Sequence, residues 1–406
     1  MRITHVVDTY YPQLGYQIYY LPLEMKKLGH DVTIITSDRH SKVVYEKDAM
    51  KPLLGERIVQ PGNWIDKDGL RVLRLPSTLE IGPTVLLKGL LKEIELAKPD
   101  ILYVHGTTTL SALSIALFKR RLGNPTVVYQ TYQIKAASMS VYRHLYPMVK
   151  AFESPLVTRS ADMFVAIAEE AKDFAIKKLG IPAEKIMVAQ HGADPTRFFP
   201  DSQSGRTTRK SLGIEDDDFV AIYTGKIMPY KGVHILIEAA ANLIRKHPEI
   251  KILVVGGGDR DYVKFLRSYA EKEGIGGSVF IHEAVIHSEL RNYYNAANVA
   301  VWPSSVTIST LEAMSCGLPV IVSDVPAAQE RTVFGNGFVV HNESSEELEH
   351  YIDQLYLDRK QAEQMGRAGR NAIETRLNWR MITERVLRHI EEASERAKRA
   401  SSSRGS

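Results

Sequence analysis

The feature that most constrains this chain is a rhythm: short β-branched runs alternate with longer helical patterns almost from end to end. In the first half Ile3–Asp8, Asp31–Thr36, Leu70–Leu75, Ile101–Val104, Thr126–Tyr129, Met163–Ile167 and Ile186–Ala189 read as strands. Helical stretches at Gln17–Leu28, Thr84–Ala97 and Leu110–Leu122 lie between them. In the second half the strands are Phe219–Tyr223, Lys251–Val255, Ser278–Ile281, Val299–Trp302 and Pro319–Val322. Their helices are Val233–Arg245, Asp261–Lys272, Ser288–Ala296 and Ser309–Cys316. Strands this uniformly apolar bury both faces, which calls for parallel sheets covered by helices on either side. The fold class is therefore α/β.

The rhythm pauses once, around Ala193–Ile214, where Asp194–Pro200 leads into the polar stretch Asp201–Lys210; this composition shift reads as a linker. A chain of 406 residues also exceeds what one core usually holds. Two doubly wound, Rossmann-like domains are expected, at residues 1–197 and 198–379. Ligands of such sheets bind at the carboxyl ends of the strands, so two domains facing each other across a cleft can hold a donor and an acceptor. Helices near Ser345–Tyr356, Arg359–Thr375 and Trp379–Arg399 close the chain, and residues 400–406 read as a disordered tail.

Composition excludes several classes. The single cysteine, Cys316, rules out an internal disulfide and fits a reducing, cytoplasmic setting. No apolar run is long enough to span a bilayer, and Arg2–Val7 reads as a strand, not as a signal peptide. A net charge of +4 tolerates anionic ligands without pointing to nucleic acid.

The loop Gly225-Lys226-Ile227-Met228-Pro229-Tyr230-Lys231-Gly232 carries the chemistry. It joins a predicted strand to a predicted helix. Glycine permits close approach of backbone to ligand, a helix start offers N–H groups and a positive dipole end, and two lysines add charge. Together these make a site for a di-anion; the plainer alternative is a solvated turn with two surface lysines. Asp259-Arg260-Asp261 matches a metal-binding Asp-x-Asp pattern, but it follows Gly256-Gly257-Gly258 and opens a helix, where aspartates cap. No metal and no cofactor are expected. The acidic run Glu215–Asp218 reads as a solvated turn.

Further segments fall in a telling order: Gly256–Asp259, Ala284–Leu290, Tyr293–Val299, and Pro303–Asp324 with Thr310-Leu311-Glu312-Ala313-Met314-Ser315-Cys316-Gly317-Leu318-Pro319-Val320. The first half adds Tyr11–Gln17, Gly29–Thr36 and His191–Asp194. With Gly225–Gly232 this order resembles the retaining GT-B glycosyltransferases of glycosyltransferase family 4, over nearly the whole chain.

The resemblance implies roles. Lys226 and Lys231 would hold the diphosphate of a UDP-, GDP- or ADP-sugar, with Gly225 and Gly256 lining the turn. Glu312 would accept the ribose hydroxyls, and the backbone at Val285 and Ile286 would clamp the base. Ser305, Thr307 and Ser309 would offer hydroxyls and N–H groups to phosphate, with Ile308 beside them among the substrate-binding residues, and Gly15, Tyr16 and Gln17 would form an acceptor-side loop. The final helix, 380–399, would return to the first domain. Two positions depart from the family: Ser304 stands where a glutamate is usual, and Tyr132 where a histidine is, with His105 an alternative polar group at a neighbouring strand end.

The implied function is transfer of a sugar, with retention and without metal, to a glycan, lipid-linked or small-molecule hydroxyl. The bulky, basic stretch Lys135–Arg159 suggests peripheral contact with the inner membrane face; an ordinary packed helix is the alternative. Two rivals stay open: a nucleotide-sugar-binding protein or partner subunit without turnover, and a nucleotide-sugar epimerase.

Overall fold

A computed structural model describes residues 1–42, 45, 54–82, 84–133, 149–304 and 307–402. The chain divides into two compact units, and the second runs from Gly192 to Asn378. The first takes up most of the preceding residues and the chain from Trp379 on.

The first unit is built on strands β1 (Arg2–Val7), β2 (Asp31–Ser37), β3 (Gly62–Ile65), β4 (Arg71–Leu75), a separate hairpin β5 (Ser77–Ile81) and β6 (Thr84–Leu87), then β7 (Ile101–His105), β8 (Thr126–Thr131), β9 (Met163–Ala166) and β10 (Ile186–Val188). Its large sheet runs β10-β9-β8-β7-β1-β2-β4-β3, parallel except at β3. Helices α1 (Gln17–Lys27), α2 (Leu90–Ala97) and α3 (Leu110–Phe118) cover it. The C-terminal helix Trp379–Ser402 packs on α1 through a shared apolar face, with the Tyr20 ring stacked on Trp379 at 5.4 Å. It reaches Ser402, into the segment expected to be a disordered tail.

The helix expected over Thr84–Ala97 begins only at Leu90. Gly89, at φ +84°, breaks it, and Thr84–Leu87 pairs with Ser77–Ile81 instead. The β-branched Thr84 and Val85 suit that strand. The stretch Lys135–Met148, which carries most of the proposed membrane patch, lies outside the described residues; Ser154–Ser160 is helical.

The second unit holds β11 (Phe219–Thr224), β12 (Ile250–Val255), β13 (Val279–His282), β14 (Val299–Trp302), β15 (Val320–Ser323) and β16 (Gly337–Val340) in the parallel order β13-β12-β11-β14-β15-β16. Its helices include α4 (Ser202–Leu212), α5 (Val233–Lys246), α6 (Arg260–Lys272), α7 (Leu290–Asn295), α8 (Ile308–Ser315) and α9 (Arg359–Thr375).

Helix α4 replaces the expected linker. Asp201 caps it by accepting from Ser204 N, and Gly213 ends it in the left-handed conformation. What anchors this polar helix is Arg209, buried, which donates to the carbonyls of Ala296, Glu215, Asp216 and Asp218 and to Asn298 Oδ1. The turn at Glu215–Asp218 is accordingly built around a cation, and Asp218 is buried there, not solvated. Arg370 of α9 does similar work, donating to the carbonyls of Phe198 and Ser315. Among the described residues no helix is long and apolar enough to cross a membrane.

Candidate functional site

The predicted donor residues gather at the carboxyl ends of β11, β12 and β14. Leaving β11, Gly225 adopts φ +141°, a conformation that side chains resist, and the loop through Ile227 runs beside Gly256–Gly258. Gly225 N donates to Val255 O, Ile227 N to Gly257 O and Asp259 N to Ile227 O. The triple glycine is thus a tight strand extension and not a floppy turn. A Cβ on Gly256 would collide with the Gly225 carbonyl. Gly256→Ala should therefore cost about 1–3 kcal/mol and lower the melting temperature, since the obstacle is backbone. An unchanged melt would contradict this packing.

Lys226 and Lys231 end up close enough to affect each other. Burial, then the Lys226 charge, bring the Lys231 ammonium down to about 8 from its ordinary 10.5. Lys231 Nζ also lies 5.4 Å over the Tyr230 ring. The start of α5 gives less than expected: His234 N is taken by the Tyr262 hydroxyl, and the amides of Gly232 and Ile235 by Pro229 O and Gly232 O. The positive character of this loop rests chiefly on its lysines.

The loop leaving β14 comes against this start. The Ser304 hydroxyl fills the space where a Gly232 Cβ would be, so the residue in the usual glutamate position does face the lysine loop. Among the described residues the Ser304 and Thr307 hydroxyls are buried without a hydrogen-bond partner. Thr307 stands at the N-cap position of α8 without a side-chain cap bond, with Ile308 and Ser309 in the first turn; Ser305 lies outside the described residues.

Glu312 sits one turn further into α8 than the expected helix start, 3% exposed. Its Oε1 lies 2.5 Å from His287 Nε2, and its Oε2 accepts from the Tyr294 hydroxyl at 3.3 Å. Tyr294 also meets Thr224 Oγ1 at 2.8 Å, the last residue of β11 before the lysine loop. His287 directly follows Val285 and Ile286, and Ile286 is exposed. One hydrogen-bonded run therefore links the predicted base, ribose and phosphate segments. Asp259 caps α6, accepting from Asp261 N and Tyr262 N, as the sequence suggested. Among the described residues no group of three His, Cys, Asp or Glu side chains is placed to hold a metal ion.

The first-unit candidates form two groups. Gly15, at φ +64°, ends a short 3-10 turn, Tyr16 stands at the N-cap position of α1, and Gln17 is buried with neither amide atom paired among the described residues. His105 and Tyr132 do come together, with Nδ1 2.7 Å from the hydroxyl, which in turn donates to Gln130 Oε1. Sequence reading missed His5, whose Nδ1 lies 3.0 Å from His105 Nε2; only the pairing of β1 with β7 makes them neighbours.

Burial holds His105 down at about 3 and His5 well below its ordinary 6.5, so both rings are neutral in the fold. An unfolded chain protonates them below 6.5, so stability should fall as pH drops from 6.5 toward 3. His105→Gln should flatten that slope by about 1.4 kcal/mol per pH unit, read from unfolding at pH 6 and pH 4.5.

Residues 14–197 match the family model Glycosyltransferase Family 4, and residues 205–372 match Glycosyl transferases group 1. Between them they account for most of the chain. It belongs to this family of glycosyltransferases.

A D-inositol 3-phosphate glycosyltransferase 2 of Catenulispora acidiphila is 28% identical over 55% of this chain and 54% of its own length. The chain thus spans about half of that relative. A D-inositol 3-phosphate glycosyltransferase of Rhodococcus jostii is 27% identical over 77% of the chain and 70% of its own length. Among solved structures, Anabaena Alr3699/HepE in complex with UDP is 20% identical with a TM-score of 0.74, covering 97% of this chain and 100% of that one. WaaG, a glycosyltransferase involved in lipopolysaccharide biosynthesis, is 18% identical with a TM-score of 0.67, covering 96% and 99%. The fold is that of the GT-B glycosyltransferases.

Proposed function

We propose that this chain transfers a sugar from a nucleoside diphosphate to an acceptor hydroxyl, with retention at the anomeric carbon and without a metal ion. The observation that carries it is Lys226 beside Lys231 on a glycine-bounded loop, faced by the Ser304 hydroxyl. When the glycosidic bond breaks, negative charge grows on the leaving diphosphate. Cations already in place there stabilise the transition state more than the ground state. They also supply the charge that a divalent ion would otherwise bring. Retention follows from the family resemblance.

The HepE structures holding UDP and UDP-glucose make UDP the first nucleotide to test. The relatives' names make a phosphorylated cyclitol one acceptor worth including, beside glycans and lipid-linked sugars. Gly15, Tyr16 and Gln17 are assigned to the acceptor side, and Tyr132 and His105 to catalysis beside the reacting sugar.

The test is a thermal-shift panel of UDP, GDP and ADP with their sugars, because a ligand that binds only the folded state raises the melting temperature. It is followed by transfer assays with and without chelator, the product's anomeric configuration being read by proton NMR. A shift with one donor family, chelator-resistant transfer and a retained anomer are expected. Binding without hydrolysis or transfer across a broad acceptor panel would mark a binding protein instead.

A further inference from the structure

We propose that His287 is a positioning residue: with Tyr294 it holds the buried Glu312 carboxylate so that its remaining lone pairs accept the two hydroxyls of a nucleotide ribose. This rests on the reading that the second unit binds a nucleotide donor. An ionised carboxylate offers about four lone-pair sites. Among the described residues His287 Nε2 occupies one on Oε1 and the Tyr294 hydroxyl one on Oε2, which leaves room for two more donors.

Both holders are themselves fixed. Tyr294 is fully buried and hydrogen-bonded to Thr224, and the His287 ring packs 5.0 Å from that of Phe198. Because His287 opens the 3-10 turn directly after Val285 and Ile286, the segment assigned to the base also orients the acid assigned to the ribose. A carboxylate this buried stays aimed only while donors hold it. Without His287 it would keep a single holder and turn on its own side-chain bonds.

The opposite arrangement has the imidazole standing where the ribose must go. The two differ in sign, so a binding measurement separates them. Titration calorimetry is performed with UDP, GDP and ADP, each against its 2′,3′-dideoxy form, on the full chain and on His287→Ala, His287→Gln and Glu312→Gln. The full chain should prefer the ribose form about tenfold or more, as expected for hydroxyls donating to a charged acceptor.

His287→Ala should lose most of that preference while binding the dideoxy form as before, and His287→Gln, which keeps an N–H donor, should restore part of it. His287→Leu, which keeps bulk beside Phe198 but no donor, gives the same readout if the alanine variant does not fold. Tighter ribose binding by His287→Ala would overturn the proposal, as would an unchanged preference. A preference that survives in Glu312→Gln would also overturn it while leaving donor binding intact. If the full chain binds no nucleoside diphosphate, the functional reading itself falls, and this inference with it.

Discussion

Lys231→Ala should lower sugar transfer roughly a hundred- to a thousand-fold, the usual loss when a preorganised group facing developing charge is removed. Lys231 stands partly desolvated beside Lys226, which is why its ammonium titrates near 8. Burial first, and then the Lys226 charge, disfavour its charged form. In the unfolded chain the group returns to 10.5, so between about 8 and 10.5 the unfolded state holds more protons. Stability of the free protein should therefore rise with pH through that window, because deprotonation relieves first the cost of burying the ammonium and then its repulsion with Lys226.

Donor affinity should move the other way, weakening as pH climbs through 8 and the cation is lost. Bound diphosphate should draw a proton onto Lys231, visible as proton uptake when calorimetry is repeated in buffers of different ionisation heat. A Lys231→Ala enzyme with undiminished turnover, or an affinity flat across pH 7–9.5, would remove the lysine from the site.

Glu312→Gln should weaken nucleotide binding about ten- to a hundred-fold and lower stability by about 1–3 kcal/mol. The substitution keeps shape and volume. It removes the charge that makes each hydrogen bond to this group strong, and it turns an amide N–H₂ toward one of the two donors, His287 or Tyr294, that now face an acceptor. One of them is left unpaired in a buried setting, and that is the source of the stability loss. Donor titrations and thermal melts on the same preparation read both effects. Unchanged affinity would mean that the carboxylate serves only the fold.

The rhythm of the strands was legible because β1, β7, β8 and β11 are buried on both faces and so read as continuous apolar runs. Helix α4 was not, because what ties it down is one arginine turned inward and not an apolar stripe. The hairpin at Thr84–Leu87 was hidden for a related reason: its apolar residues run straight into those of α2, and only Gly89 separates them. In the site, the lysine loop could be read locally, since glycine, charge and helix start lie together in the chain, whereas Glu312 was pointed to by the family resemblance. His287 and Glu312 are 25 residues apart, and His5 and His105 are 100 apart. Such pairings are made by the sheet order and leave no mark in local spacing. The role of Gly256 was likewise concealed: its constraint is the Gly225 carbonyl on the neighbouring strand's loop.

The most direct measurement is calorimetric titration of the full chain with UDP and UMP, repeated for the guanosine and adenosine pairs. If Lys226 and Lys231 grip a diphosphate, one base should bind, its diphosphate at least about tenfold more tightly than its monophosphate, with the difference erased in Lys231→Ala. Equal affinity for the two forms, or no nucleotide binding at all, would contradict the account.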